Sequence, residues 1–336
     1  MVPNQSEVTQ LIEEGIKLHE EGDYLKAVLK YQEAIRKNPE NPLAYYEMSF
    51  SYFLAGKYDE SLNAALKSTE FESSLLLLSY IQIGSNIDML GKPKAALTAY
   101  QKALGIDSTY YLVHYNIAIT YSNMSKYDES REYLYKAIHY NSRHASSHLA
   151  LGNIYMEDNY RVPAILAYCQ FLAIENNTTR TEDVLAKLQN LLQIGVSKTS
   201  ETEIEVSIGS SKSNYEGDFS AADFFLSLNA AALTQVSDAI NEPMKMKPIE
   251  IIVSEIEGLA QILDELYMKI DDKRFAWKYY APFLIELGQR QLIESFVYFS
   301  FQIVNEPTIQ GWLQNNPEKI EELQKWIDAY QSPIVD

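Results

Sequence analysis

The chain has little cysteine and no long apolar run. Cys169 is the only cysteine, so no disulfide can form within the chain, and the redox compartment stays open. We expect this residue to pack as a small apolar side chain in the helix around it. No apolar run approaches the roughly 18 residues that a membrane-spanning helix needs. A disulfide-stabilised domain and a membrane-inserted protein are therefore not expected.

Positive charge is also scarce. The chain has 28 Lys and Arg against 46 Asp and Glu, a net charge of −18. Residues 1–200 carry 23 acids against 18 bases, and residues 201–336 carry 23 acids against 10 bases. An acidic surface repels phosphate backbones and anionic headgroups, so nucleic acid and membrane surfaces are not expected partners. Such a surface suits solubility or a basic partner.

A helical hairpin recurs five times between about Val8 and Thr178. The spacing of the five hairpin turns is 34 or 35 residues, at Gly22, Gly56, Gly91, Ser125 and Asn159. A small residue in each first helix lets the two helices approach closely, at Gly15, Ser49, Gly84, Ala118 and Gly152. The second helices repeat a small residue at Ala27, Ser61, Ala96, Ser130 and Ala164. This period and content resemble the tetratricopeptide-repeat (TPR) family.

The resemblance covers about half the chain and implies an all-α fold, a TPR superhelix followed by a small helical bundle. We predict a repeat array with a capping helix over residues 8–195, a linker over 196–217 and a helical bundle over 218–331. The capping helix is expected near 182–193, where leucines form one apolar stripe. Arg161 stands where most copies have Tyr, and Phe171 replaces a usual alanine, so the fifth copy should be less regular.

In the TPR family the first helix of each repeat lines a concave groove. In copies two to five these helices, roughly 43–55, 78–90, 112–124 and 146–158, contain no Lys or Arg. The resemblance places these candidate partner-binding residues in the groove: Tyr46, Phe50, Phe53, Ile81, Ser85, Tyr115, Asn116, Ile119, Asn123, Asn153 and Met156. Asn116 and Asn153 resemble part of the basic clamp with which some TPR domains hold a C-terminal carboxylate. Because the lysines and arginines of that clamp are missing, we do not expect capture of an anionic tail.

Three interpretations of this groove compete. It could bind an external protein segment through aromatic, aliphatic and amide contacts. The later helices of the chain itself could fill it instead, or the named positions could belong to the core.

The linker and the C-terminal third carry weaker signals. Ile204, Val206 and Ile208 alternate with polar residues as in a strand. Such a strand could lie across the helices, which we favour, pair with another strand, or simply be extended. Ser220 and Asp223 have capping-box spacing. Pro248, Pro307 and Pro317 are expected to open helices.

Two apolar patterns in this third predict helix packing. The residues Ile252, Ile256, Leu259, Leu263, Leu266 and Ile270 form a narrow seam suited to another helix, within the chain or in a second copy. Residues 292–301 are apolar nearly all round and predict a buried helix. The aromatic group Trp277, Tyr279, Tyr280 and Phe283 could line a sugar or peptide pocket, but a shared helical face favours core packing.

This third, together with residues 161–168, is similar to a group of bacterial exported TPR proteins with a helical C-terminal segment. That similarity favours a periplasmic or other extracytoplasmic location with the leader absent from this sequence. Residues 1–6 have no signal-peptide pattern, and without the similarity a cytoplasmic location is expected.

The sequence has no catalytic or nucleotide-binding motif. His144 and His148 are four residues apart and could share a metal on one helix. However, His148 and His114 stand at the repeat position of Leu11 and Tyr45, so we expect structural histidines and predict no metal, cofactor or catalytic residue. The function predicted is a non-enzymatic adaptor that binds a protein or peptide segment. The alternative is a self-assembling component that pairs through the groove or the seam, and an enzyme with its site in the bundle is less favoured.

Overall fold

The computed structural model describes residues 5–194, 196–198, 204–206, 216–239, 246–271 and 273–333, without side chains for the two strands or for 234–239. Within these ranges the chain is almost entirely helical, which confirms the all-α prediction. It forms two compact units, of which the first ends at Tyr140 and the second begins at Asn141. The boundary between the units falls inside the predicted repeat array, between its fourth and fifth copies.

Unit 1 consists of four antiparallel hairpins. The helices are α1 (Gln5–Glu20), α2 (Tyr24–Lys37), α3 (Pro42–Leu54), α4 (Tyr58–Ser68), α5 (Leu76–Met89), α6 (Pro93–Ile106), α7 (Tyr111–Asn123) and α8 (Tyr127–Tyr140). Each first helix also contacts the next first helix: α1 with α3, α3 with α5, and α5 with α7. The solvent-accessible side of these four helices is called the inner face below.

The hairpin turns share one backbone conformation. Gly22, Gly56 and Gly91 have φ of +83°, +74° and +74°, a left-handed region that costs glycine nothing. Ser125 adopts the same conformation at +57°. At the first turn the Asp23 N–H donates to Leu18 O at 2.8 Å, which closes the end of the first helix. The repeated turn signal therefore corresponds to a repeated geometry.

Glycine in the first helix makes room for a tyrosine ring in the second. A Cβ on Gly15 would lie 2.4 Å from Tyr31 Cε1, and a Cβ on Gly84 would lie 2.4 Å from Tyr100 Cε1. Both rings are buried. In copies two and four, where the first-helix residue is larger, the second-helix residue is smaller: Ser49 with Ala65, and Ala118 with Leu134. This confirms that the small residues set the close approach of the helices.

Unit 2 contains the fifth hairpin and everything after it. Its elements are α9 (Ala145–Glu157), α10 (Arg161–Ile174), α11 (Thr179–Gln193), β1 (Val196–Lys198), β2 (Ile204–Val206), α12 (Ser220–Ala239), α13 (Pro248–Tyr267), a π-helical turn (Ala276–Tyr280) that continues into α14 (Ala281–Gln289), α15 (Ile293–Ser300), α16 (Pro307–Asn315) and α17 (Pro317–Ala329). Pro248, Pro307 and Pro317 each open a helix, as predicted.

Helix α10 is the centre of unit 2. Every residue from Arg161 to Ala173 is buried, because α9, α11, α12, the π-helical turn, α14 and α15 all pack against it. By contrast, α2 of the first hairpin leaves Leu25 and Leu29 more than half exposed. A helix that is covered on all sides needs apolar residues on all sides. The fifth copy departs from the repeat pattern, for example at Phe171, because α10 is both a hairpin helix and the central helix of unit 2.

The turn between α14 and α15 has the backbone geometry of the repeat turns, but these two helices scarcely contact each other. Gln291 has φ of +59°, and the Leu292 N–H donates to Leu287 O at 2.9 Å, as at the other turns. Counted from the turn, the Gly and Tyr positions of the fifth copy hold Leu284 and Ser300 here. Both are buried. The order of large and small residue is reversed, so the repeat pattern predicts no packed hairpin here.

The predicted strand at 204–206 is present, and it both lies against a helix, as favoured, and pairs with a second strand. It pairs antiparallel with β1, with Val196 opposite Val206. Strand pairing satisfies the backbone groups that a lone strand would leave open. The two-stranded ribbon lies against α12. Ile208, the third residue of the predicted alternation, lies outside the described residues.

The apolar patterns of the C-terminal third are internal. Ile252, Ile256, Leu259 and Leu263 are buried in unit 2, where α13 packs against α12, α14 and α15, so this seam is already occupied. Residues of α15 are buried on most sides, as predicted for 292–301. The aromatic group at 277–283 is also buried, which confirms core packing.

Candidate functional site

The inner face of unit 1 carries nine of the predicted partner-binding residues. They lie on α3, α5 and α7 and keep part of their surface exposed: Tyr46, Phe50, Phe53, Ile81, Ser85, Tyr115, Asn116, Ile119 and Asn123. Phe50 is 36% exposed. The face therefore presents aromatic, aliphatic and amide groups to solvent.

His19 belongs to the same surface, although the sequence did not single it out. Its ring stacks on Phe50 at 4.9 Å between centroids, and Nδ1 lies 2.7 Å from Ser51 Oγ. Burial lowers the pKa of His19, so the ring is mainly neutral at pH 7. His19 stands three residues before the hairpin turn, as Phe53 and Met156 do, so the repeat pattern could have found it if the candidate positions had been extended to the first copy.

The charged residues of the inner helices are carboxylates. Helices α3, α5 and α7 contain Glu47 and Asp88 and no Lys or Arg. Asp88 Oδ2 accepts a hydrogen bond from Thr120 Oγ1 at 3.0 Å. Glu47 is half-buried, and burial raises its pKa. These three helices therefore offer no cation to a carboxylate ligand, and Lys17 of α1 lies near Glu21.

Tyr46 is half-buried in this surface. Burial raises its pKa to about 12, with further contributions from Glu47 and Tyr110. Tyr110 directly precedes α7. Side chains from copies two and four are thus close enough to influence one another.

The tyrosines of the second helices reach the inner face with their hydroxyl groups. The Tyr100 hydroxyl lies 3.3 Å from Ser85 Oγ, and Ser85 Oγ also donates to Ile81 O at 3.0 Å. In the first copy the residue equivalent to Ser85 is Ile16, which offers no polar atom.

The two predicted residues in unit 2 are held by internal contacts. Asn153 Oδ1 accepts from the Tyr168 hydroxyl at 2.9 Å, and that hydroxyl lies 2.8 Å from Met156 Sδ. Lys187 of α11 donates to Asn153 Oδ1 at 3.1 Å and pairs with Asp183 at 2.7 Å. Sequence reasoning missed this cation because it counted only the first helices of the five copies.

Helix α11 continues the repeat register. Arg180 donates to Ser146 at 2.8 Å, and Lys187 donates to Asn153, each bond joining residues 34 apart. Thus α11 lies where the first helix of a further repeat would lie, which is the position of a capping helix. Its apolar residues Val184, Leu185 and Leu188 are buried, as predicted.

Histidines at equivalent repeat positions have structural roles. His148 Nε2 donates to Ser142 O at 2.9 Å, so Nδ1 accepts from the Tyr280 hydroxyl at 2.9 Å. Burial lowers the pKa of His148 to about 4. His114 makes the same bond to Ser108 O at 2.8 Å. At both positions a neutral histidine donates to a nearby loop carbonyl, which is a structural role. The described residues hold no cluster suited to a metal ion.

A buried charge cluster joins α10 to the helices that follow. Arg161 donates to the carbonyls of Leu191 and Leu192 at 2.6 and 2.8 Å. These carbonyls lie at the end of α11, where the helix itself supplies no donor for them. Its third nitrogen donates to Ser227 at 2.8 Å. This residue, irregular for the repeat, therefore ties α11 and α12 to α10.

Two buried carboxyls face this arginine. Burial raises the pKa of Asp223 to about 6 and that of Glu255 to about 7, although Arg161 opposes both shifts. The predicted capping box does not form: Ser220 N–H instead donates to Asp218 at 2.9 Å. Asp223 is part of the buried cluster rather than a cap.

A cleft of about 840 Å³ lies between α13, α14 and α15 and is lined by Glu257, Asp264, Glu294 and Lys319 among others. Glu294 uses both of its oxygens, accepting from Trp312 Nε1 at 3.2 Å and from Lys319 at 3.0 Å. The polar groups of this cleft thus stabilise unit 2. None of the described helices is long and apolar enough to span a membrane.

Comparisons with known proteins agree with the repeat geometry. Family models described as TPR repeat and tetratricopeptide repeat match residues 15–56 and 111–144. BBSome complex member BBS4 of Bos taurus is 26% identical over 153 residues, 46% of this chain and 29% of the relative. The probable UDP-N-acetylglucosamine–peptide N-acetylglucosaminyltransferase SPINDLY of Hordeum vulgare is 26% identical over 127 residues, 36% of this chain and 14% of the relative. The chain thus spans less than a third of either relative.

Among solved structures, a thermophilic TPR protein of Thermus thermophilus is 17% identical with a TM-score of 0.48, covering 55% of this chain and 98% of its own. The family-model matches and the five hairpins at one period show that this chain contains tetratricopeptide repeats, a fold that serves as a scaffold for protein–protein interaction.

Proposed function

We propose that the chain is a non-enzymatic adaptor that binds an extended segment of a partner protein on the inner face of unit 1. The observation that carries this proposal is the set of partly exposed aromatic and amide side chains on α3, α5 and α7.

Each kind of side chain supports binding in its own way. Rings such as Phe50 and Tyr115 supply contact area with few rotatable bonds to immobilise. The amides of Asn116 and Asn123 can both donate to and accept from the backbone of an extended peptide. Together they favour a segment bound through its backbone and apolar side chains.

Selection of peptides on the full-length chain tests the proposal. A display library of random short peptides supplies the probes, and their affinities are measured by calorimetry. We expect the selected peptides to lose at least about fivefold in affinity to the Phe50→Ala and Asn123→Ala variants, as for typical interface anchors. The control is Leu29→Ala, which truncates a side chain that is 60% exposed on α2, outside the inner face.

Circular dichroism and thermal unfolding show that each variant is folded before its affinity is interpreted. Peptides that bind the two inner-face variants and the control equally well would contradict the proposal.

A further inference from the structure

We infer that one buried water molecule is an integral part of unit 2, where it joins α10 to the end of α17 by hydrogen bonds to Gln170 and Tyr330. This inference is independent of the proposed function, because the site belongs to unit 2 and the inner face to unit 1.

A small cavity lies where the C-terminal end of α10 meets α17 and the residues after it. Its volume is about 20 Å³, and both Gln170 and Tyr330 line it. A cavity can hold a water from roughly 10–15 Å³ upward. This one therefore has room for a single water and for no larger ligand.

Gln170 brings an unsatisfied polar group to this cavity. It is the one amide side chain among the buried residues of α10 and is itself only 6% exposed. Its Oε1 atom is buried and has no hydrogen-bond partner within the part of the chain that is described. A buried amide oxygen without a donor destabilises the folded state, so a donor at this position is expected.

The Tyr330 hydroxyl is the second unsatisfied group at the cavity. Its oxygen is buried and likewise has no partner among the described residues, and its ring is held edge-on to Phe283 at 5.2 Å between centroids. Burial raises the pKa of the Tyr330 phenol, so the hydroxyl keeps its proton and can both donate and accept. Because Gln170 and Tyr330 line one cavity without bonding to each other, a molecule between them can satisfy both.

The end of α10 offers further acceptors to the same molecule. Ala173 and Ile174 are the last two residues of the helix and also line the cavity. The helix has no N–H groups for their carbonyls, and the N–H of the following Glu175 donates to Phe171 O at 2.8 Å instead. A buried water typically makes about three hydrogen bonds, and these groups can supply that number.

A metal ion is the other ligand that oxygen groups attract, but the charges around this cavity disfavour one. No carboxylate is among the described residues that line it, whereas Arg143 does line it. The Arg143 guanidinium pairs with Asp328 at 3.2 Å, so the nearest carboxylate already has a cation. A neutral molecule with two hydrogens to donate therefore fits better than a second positive charge.

A crystal structure of the full-length chain tests the site directly. At a resolution of about 2 Å or better we expect one solvent peak in the cavity, at hydrogen-bond distances of about 2.7–3.0 Å from Gln170 Oε1 and from the Tyr330 hydroxyl. A cavity without density, or a direct bond between the two side chains, would overturn the inference. Distances of about 2.3–2.5 Å to all surrounding oxygens would identify a metal ion and overturn it as well.

A double-mutant cycle tests the bridge in solution. Gln170→Leu and Tyr330→Phe each remove one partner of the water, and denaturant unfolding measures the loss of stability. The double variant should lose clearly less than the sum of the two single variants, because the second substitution removes a bridge that is already broken.

The matched control combines Gln170→Leu with Tyr298→Phe. Tyr298 is buried in the same unit, but it stacks on Trp312 at 4.3 Å between centroids and does not line the cavity. Losses for this pair should add. If the losses for Gln170 and Tyr330 add in the same way, no water couples the two side chains and the inference is wrong.

Discussion

The Tyr168 hydroxyl donates to Asn153 Oδ1 at 2.9 Å, whereas the equivalent Tyr31 hydroxyl has Ile16 at that repeat position, which offers no polar atom. Removing the two hydroxyls should therefore have different consequences. Tyr168→Phe should lower the free energy of unfolding by about 1 kcal/mol, the typical net value of a buried hydrogen bond. Tyr31→Phe should leave it unchanged or raise it. Denaturant unfolding of both variants gives the comparison, and equal losses would contradict the difference between the copies.

Two glycines in helices of the third hairpin should respond oppositely to alanine. A Cβ on Gly84 would lie 2.4 Å from Tyr100 Cε1, whereas Gly105 has nothing within 4 Å. We expect Gly84→Ala to destabilise by roughly 1–3 kcal/mol through overpacking, with Gly84→Leu at least as severe. Gly105→Ala should stabilise by up to about 1 kcal/mol through helix propensity. Thermal unfolding is the measurement, and an unchanged melting temperature for Gly84→Leu would refute the packing.

The buried carboxyls of unit 2 should make its stability fall as the pH rises. The pKa of Asp223 is raised from 3.8 to about 6, and that of Glu255 from 4.5 to about 7. The folded state therefore holds protons that the unfolded chain releases, so the contribution of these two carboxyls to stability is complete below about pH 4 and is lost as the pH rises to about 7. The loss is on the order of 3 kcal/mol for each carboxyl.

The variant Asp223→Asn/Glu255→Gln should show a flatter dependence between pH 4 and 7 in denaturant unfolding followed at several pH values. A slope equal to that of the wild-type chain would show that these carboxyls are not responsible.

The contribution of His148 to stability should increase as the pH rises, opposite to that of the two carboxyls. The pKa of His148 falls from 6.5 to about 4. Between these pH values the unfolded chain therefore binds a proton that the folded chain does not. This contribution to stability is complete above about pH 6.5 and is lost as the pH falls to about 4. NMR titration of the His148 ring should give a midpoint near 4, and a midpoint near 6.5 would contradict the buried, neutral assignment.

The sequence was sufficient where one local rule decides the structure. The turns at Gly22, Gly56 and Gly91 and the packing of Gly84 on Tyr100 each depend on residues within a single hairpin, so their period predicted the hairpins of unit 1. The opening of helices at Pro248 and Pro307 is equally local.

It was insufficient where distant residues share one environment. That Arg161 would tie together α11 and α12, or that Lys187 would reach Asn153, follows only from the packing of unit 2.

The burial of α10 on every side determines where this protein can be divided. A fragment that ends at residue 195 would leave much of α10 bare, including Val162, Ile165 and Phe171, all now fully buried. Contiguous apolar surface of that kind promotes aggregation. The natural position for a cut is the junction of Tyr140 and Asn141. A gene fragment designed from the repeat count alone would cut through the core of a folding unit.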